Sequence, residues 1–175
     1  IPREHPASYY SYMKSHLFAH VDIDPRNVHL PDATAGSDSD DLSVRLEQSC
    51  LAYEAAIRKA RGLELTFLGL GSNGHIGFNE PGASFDSRTH VVQLAESTRR
   101  ANARYFRDGV VPEKAITMGI RTILESRRIV LLASGQTKRE AVKRLRAGRI
   151  DESFPASALH THGDVTVLVD QAAAG

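Results

Sequence analysis

The apolar run Leu63-Glu64-Leu65-Thr66-Phe67-Leu68-Gly69-Leu70 empties straight into a glycine-rich loop that continues to Gly82. That junction narrows the fold more than any other stretch of the chain. A run this short and this apolar reads as a buried strand. A buried strand ending in a Gly-rich loop is where open α/β sheets bind ligands. Residues 69–82 hold five glycines and four polar side chains suited to chemistry, Asn73, His75, Asn79 and Glu80. Glycine lets the backbone turn sharply and approach a ligand closely. Imidazole titrates near neutral pH, and a carboxylate can orient it or relay its proton, so His75 and Glu80 are acid–base candidates. Taken alone, the same residues also suit a plain turn with a structural histidine.

The rest of the chain supplies alternating helices and strands. His5-Pro6-Ala7-Ser8 opens a helix, and Tyr9, Tyr10, Met13, Leu17 and Phe18 keep its period to about Ala19. Residues 28–30 read as a short strand and 31–40 as a surface loop rich in Pro, Gly, Ser and Asp. A second helix starts near Asp41. Its apolar stripe is Leu42, Leu46, Cys50, Tyr53 and Ile57, which makes Cys50 a core residue, and Gly62 ends it. After the loop come a strand over 90–94, a helix over 96–106, a strand over 115–118 and a short helix over 120–125. Residues 129–133, Ile-Val-Leu-Leu-Ala, form a continuous apolar run, as parallel strands covered on both faces require. Gly135 leads into a helix over 136–147, closed by Gly148. A helical piece near 155–159, a last strand over 165–169 and a frayed alanine tail complete the chain. The alternation predicts one domain over 1–175: a Rossmann-like, three-layer α/β/α architecture with a mostly parallel sheet.

Composition limits the function classes. A net charge of +1 gives no bulk attraction to nucleic acid or a membrane surface. The single cysteine excludes an internal disulfide and offers no Cys cluster for a metal. No apolar run approaches a membrane span and no signal peptide is visible, so the expected location is cytoplasmic. The basic run Lys138-Arg139-Glu140-Ala141-Val142-Lys143-Arg144-Leu145-Arg146 has no interleaved aromatics for base stacking and reads as a solvated helix face. Lys138 stands apart. In the first turn of its helix it would join free N–H groups and the positive helix end, a setting that suits phosphate, although a solvated lysine fits the position as well.

Several stretches, in collinear order along nearly the whole chain, resemble the glucosamine-6-phosphate deaminase family. They are residues 68–82, Ser87-Arg88-Thr89, residues 98–106 (Thr-Arg-Arg-Ala-Asn-Ala-Arg-Tyr-Phe), Val111-Pro112, Ala115-Ile116-Thr117-Met118-Gly119, Gly135-Gln136-Thr137-Lys138 and the opening His5-Pro6-Ala7-Ser8-Tyr9-Tyr10. The resemblance implies an aldose–ketose isomerisation coupled to loss of the 2-amino group. Glucosamine 6-phosphate and water would give fructose 6-phosphate and ammonium, with no metal or organic cofactor. Such chemistry needs a proton shuttle for ring opening, a base between C2 and C1, and a clamp on the phosphate. By resemblance, His75 is the ring-opening acid–base group and Glu80 belongs to its relay. Arg104 and Lys138 match the phosphate-binding side chains. Tyr9 and His5 would stand near the mouth of the site without touching the reacting atoms, and Gly71 would be a further supporting residue.

Two departures qualify the resemblance. Asn73 stands where many members carry Asp. An amide cannot take a proton as a carboxylate does, but it can hold His75 in one tautomer. Further, the family's C2 base is an Asp just before the segment that begins here, and a phosphate loop and the first βα units lie further upstream. The sequence starts at Ile1, so the expectation is the C-terminal part of a deaminase domain, its N-terminal strands missing, with little turnover on its own. An uncovered sheet edge would also invite pairing, so a homo-oligomer is compatible. Hexameric relatives hold an activating phosphate with basic residues where this chain has His90 and Val92, so no allosteric effector is expected. Two other readings stay open: a 6-phosphogluconolactonase-like hydrolase, which shares the Gly-x-Gly-x-x-Gly-His loop, and a non-catalytic sugar-phosphate-binding homologue.

Overall fold

A computed structural model describes residues 1–32, 41–106 and 111–175, the side chains of Ser97 and Ala101 excepted. Most of the loop expected over 31–40 therefore lies outside the described residues. The chain divides into two compact units. The first is Ile1–Ala55 with Val91–Ile116, and the second is Ala56–His90 with Thr117–Gly175.

The second unit carries a three-stranded parallel sheet, order β1-β4-β5, from β1 (Leu65–Gly69), β4 (Arg128–Ala133) and β5 (Val165–Val169). Leu68 pairs with Leu131, and Leu131 with Val167. Side chains alternate across a strand, so this register puts Leu68, Ile129, Leu131 and Ala133 on one face, where all are buried. Packed with them are Ile120 and Ile123 of α4 (Ile120–Leu124), Val142 and Leu145 of α5 (Arg139–Arg146), and Phe154, Ala156 and Leu159 from the 3₁₀ segment and its approach. The opposite face carries Leu65, Phe67, Leu132 and Leu168, all exposed. Among the described residues the apolar run of β4, expected to be covered on both faces, is covered on one, with Leu132 on the other face 46% exposed.

The first unit holds α1 (Tyr9–His16), most of α2 (Leu42–Lys59), α3 (Glu96–Asn102) and most of a separate two-stranded sheet of β2 (His90–Gln93) and β3 (Lys114–Thr117). Ser8 caps α1 by accepting from the Ser11 N–H at 3.0 Å. Helix α1 stops at His16, short of the expected Ala19, because Leu17 leaves helical geometry and Phe18–His20 form a 3₁₀ turn. Leu46 and Cys50 of α2 are buried, as their stripe implied, and burial pushes the Cys50 thiol above its ordinary pKa.

Further local expectations need correction. The helix expected over 96–106 is α3 followed by a 3₁₀ turn at Ala103–Tyr105. Residues 28–30 are not a strand. The Asp24 side chain caps a 3₁₀ turn at Pro25–Asn27, and the Val28 N–H closes that turn on the Pro25 carbonyl. The helix expected over 136–147 is two pieces, a 3₁₀ turn at Gln136–Lys138 followed by α5. The tail is ordered, not frayed. Asp170 caps α6 (Gln171–Ala174) through the Ala173 N–H at 2.8 Å, and Ala173 is fully buried.

Candidate active site

The parallel register places two turns at one edge of the sheet. Gly69, the last residue of β1, is level with Leu132 of β4, so the loop after β1 and the turn after β4 leave the sheet side by side. The C-terminal edge of parallel strands is the usual ligand side of such sheets.

The loop after β1 is built around a hydrogen-bonded chain of three side chains. Asn73 Nδ2 donates to Glu80 Oε2 at 2.7 Å. Asn73 Oδ1 lies 2.8 Å from His75 Nδ1 and also accepts the His75 backbone N–H at 3.2 Å. The chain fixes its own protonation pattern. A backbone N–H can only donate and a carboxylate can only accept, so the amide has one orientation. Its oxygen then accepts from His75 Nδ1, which must carry the proton in the neutral ring. The second nitrogen, Nε2, is left with a bare lone pair. Glu80 Oε2 is also 3.5 Å from His75 Nδ1, an ion-pair distance once the ring is protonated.

The backbone around this chain is pinned from several sides. The His75 ring lies directly over Gly71: a Cβ there would sit 2.4 Å from Nδ1, so only glycine fits. The Gly74 carbonyl accepts the Ala156 N–H at 2.9 Å, and the Gly82 N–H reaches the Glu152 carbonyl at 2.8 Å. Thr117 Oγ1 accepts the Phe78 N–H at 3.0 Å. Asn79, counted among the polar candidates of the loop, is a buried brace. Its Nδ2 donates to the Ile76 and Met118 carbonyls, both at 2.9 Å.

Lys138 ends the 3₁₀ turn after β4 and occupies the position before α5. It is half-buried and among the described residues has no carboxylate partner. Basic residues further along α5 point outward while Ala141, Val142 and Leu145 are buried, as expected of a solvated helix face.

The first unit groups the remaining candidates around one 3₁₀ turn, Ala103–Tyr105. Arg99 and Arg100 are engaged by Glu113 and Glu96. Arg104 is different: among the described residues its guanidinium meets only Tyr105, donating to the hydroxyl at 2.9 Å and lying 4.9 Å from the ring centre. His5 stacks on Phe106 at 5.9 Å and takes the Ala7 N–H on Nδ1 at 3.1 Å. The Tyr9 phenol is held above its ordinary pKa by desolvation first and by Tyr105 second. The side chain is nonetheless 61% exposed, and the phenol is protonated at neutral pH in either case.

Comparison with known proteins identifies the chain's relatives. A sequence model of the glucosamine-6-phosphate isomerase/6-phosphogluconolactonase family matches residues 1–168. The chain belongs to that family. Within it, glucosamine-6-phosphate deaminase of Bacillus velezensis is 54% identical over 169 residues, 96% of this chain and 67% of the relative. Glucosamine-6-phosphate deaminase 1 of Bacillus subtilis is 54% identical over 170 residues, 97% of this chain and 67% of the relative. The chain thus spans about two thirds of their length. A monomeric glucosamine-6-phosphate deaminase of known structure superposes with a TM-score of 0.91 at 52% identity, over 99% of this chain and 69% of that one. The 6-phosphogluconolactonase of Trypanosoma brucei shares the fold, with a TM-score of 0.71 at 21% identity.

The family's sheet edge in this chain includes a residue that the sequence did not single out. Asp170, just after β5, takes the Gly135 N–H on both carboxylate oxygens, at 3.1 and 3.0 Å. The only signal for it was an Asp before a short alanine run, the pattern of a helix cap. Among the described residues, no three His, Cys, Asp or Glu side chains group as a metal site would require. None of their helices is long and apolar enough to cross a membrane.

Proposed function

We propose that this chain carries the ring-opening and phosphate-holding parts of a glucosamine-6-phosphate deaminase, an enzyme of amino-sugar metabolism. The substrate would be glucosamine 6-phosphate, the products fructose 6-phosphate and ammonium. Deaminases at 54% identity over almost the whole chain favour this reading over a lactonase, to which the likeness is one of fold. The observation that carries the chemistry is the His75–Asn73–Glu80 chain.

In this reading His75 Nε2 moves the proton between the sugar hydroxyl and the ring oxygen as the pyranose opens. Asn73 keeps Nδ1 protonated so that Nε2 is the working atom. Glu80, the one carboxylate in the chain, faces the imidazolium that forms. Gly71 leaves room for the ring. Lys138 of the second unit and Arg104 of the first are each read, by resemblance, as phosphate ligands: each is a cation with no carboxylate partner among the described residues. His5 supports the Arg104 turn by stacking on Phe106, and Tyr9 is read by resemblance as a further supporting residue. The reaction as read calls on no metal or organic cofactor. Residues 1–175 are read as belonging to one deaminase domain.

The reading includes no activation by N-acetylglucosamine 6-phosphate. Arg88 is held by Glu125, His90 Nδ1 donates to the Arg88 carbonyl at 2.7 Å, and Val92 has no donor to offer. One structurally known relative is monomeric, so the reading requires no assembly. A cytoplasmic setting follows from the substrate, because a charged sugar phosphate crosses a bilayer poorly.

The test is an assay of the protein carrying these residues together with any upstream residues its gene encodes. Ammonium and fructose 6-phosphate should form in equal amounts from glucosamine 6-phosphate. Hydrolysis of 6-phosphogluconolactone instead, or binding of the amino sugar without turnover, would contradict the reading.

A further inference from the structure

Asp170 is the feature of the sheet edge that the proposed chemistry does not use. Its carboxylate does three things at once. Both oxygens accept the Gly135 N–H, and Oδ1 also takes the Ala173 N–H at 2.8 Å. Gly135 is the hinge of the turn that carries Lys138: its φ is +87°, in the left-handed region, and its carbonyl accepts the Lys138 N–H at 3.0 Å. A continuous path therefore runs from the Asp170 carboxylate through the Gly135 peptide to the Lys138 backbone. The parallel pairing of β4 with β5 makes this geometry available, because Ala133 and Val169 are level and the two chain ends emerge together.

We propose that Asp170 is a positioning residue for phosphate binding: it locks the Gly135 turn so that Lys138 and the start of α5 meet the substrate's phosphate in one fixed geometry. The proposal rests on the reading of Lys138 as a phosphate ligand. Its sign is opposite to simple electrostatics. A negative charge close to a phosphate site would weaken binding, and removing it would tighten binding. Asp170 instead acts by its hydrogen bonds, so removing them loosens the turn and weakens binding.

The experiment measures inhibition by inorganic phosphate, together with KM and kcat for glucosamine 6-phosphate, in four variants of the full protein. Lys138→Ala tests the underlying reading and should weaken phosphate inhibition. Asp170→Ala should weaken it about tenfold and raise KM in parallel, the scale of a lost charged hydrogen bond, with kcat changed less than KM. Asp170→Asn keeps an acceptor for the Gly135 N–H and should stay within about threefold of wild type by the same reasoning. Gly135→Ala probes the turn without touching Asp170. A methyl group there meets no atom within 4 Å, so only the left-handed backbone opposes it. It should move phosphate inhibition in the same direction as Asp170→Ala, which keeps the test valid if Asp170→Ala fails to fold.

If Lys138→Ala leaves phosphate inhibition intact, the reading of Lys138 fails. If Lys138→Ala weakens it while Asp170→Ala and Gly135→Ala do not, the positioning role is overturned. Tighter phosphate binding in both Asp170→Asn and Asp170→Ala would also overturn it, because charge would then be the operative term.

Discussion

The two turns at the C-terminal edge of the sheet solve different problems. In the loop after β1, Asn73, His75 and Glu80 bond to one another within eight positions. The turn after β4 carries a cation with no carboxylate partner among the described residues and is held from outside, by Asp170, 35 positions away. A proton shuttle needs its orienting groups fixed before substrate arrives, so a closed local network suits it. A phosphate ligand needs a cation still free to pair, so its support has to come through the backbone. On the proposed function, the closed network belongs to the acid–base half of this edge and the braced turn to the binding half.

The sharpest way to break that contrast is to spoil the local network without removing any member of it. Gly71→Ala drives a methyl group into the His75 ring, at 2.4 Å from Nδ1. The ring must move, and kcat should fall about a hundredfold, the scale of a misplaced catalytic group. Steady-state kinetics with an intact circular-dichroism spectrum would establish it.

On the binding side, Lys138→Ala should raise KM for glucosamine 6-phosphate roughly tenfold or more, as loss of a charged hydrogen bond does, and affect kcat less. An equal fall in kcat and kcat/KM would move Lys138 from binding into the chemistry.

Asn73→Asp is subtler. It replaces a neutral acceptor with a second carboxylate beside His75 Nδ1, while keeping an oxygen in the same place. The variant should remain active but with a displaced pH–rate profile. An unmoved profile removes Asn73 from the relay.

The smallest effect is expected outside both turns. Arg88 and Arg121 hold the Glu125 carboxyl below its ordinary value. Because the folded-state pKa is the lower one, this stabilisation is present above the unfolded-state pKa and is lost as pH falls through the folded one. Both partners are about half exposed, so Glu125→Gln should cost less than about 1 kcal/mol at pH 7, read by urea unfolding.

What was legible in the sequence follows the same divide. His75, Asn73 and Glu80 could be grouped because they are close in sequence, His and Glu carry acid–base chemistry, and Asn73 stands at the relay position of the family the chain resembles. Strand β5 matched its apolar run residue for residue, and the other strands matched to within a few positions. Asp170 could not be seen, because its bond to Gly135 exists only once β4 and β5 pair. The same blindness let residues 28–30 pass for a strand. Their pattern was adequate, but the Asp24 cap and Pro25 set a turn instead. Short apolar runs also do not name their partners, so nothing in residues 90–93 and 114–117 indicated a sheet separate from β1-β4-β5.

The central claim is that His75 supplies the proton transfer while the phosphate is held elsewhere. It is tested most directly by His75→Gln, assayed for ammonium release and for binding of inorganic phosphate in the same preparation. The account predicts a fall in turnover of about 10²–10⁴-fold, the range of general acid–base catalysis, with phosphate binding unchanged. Turnover that survives the substitution, or phosphate binding that disappears with it, would contradict the account.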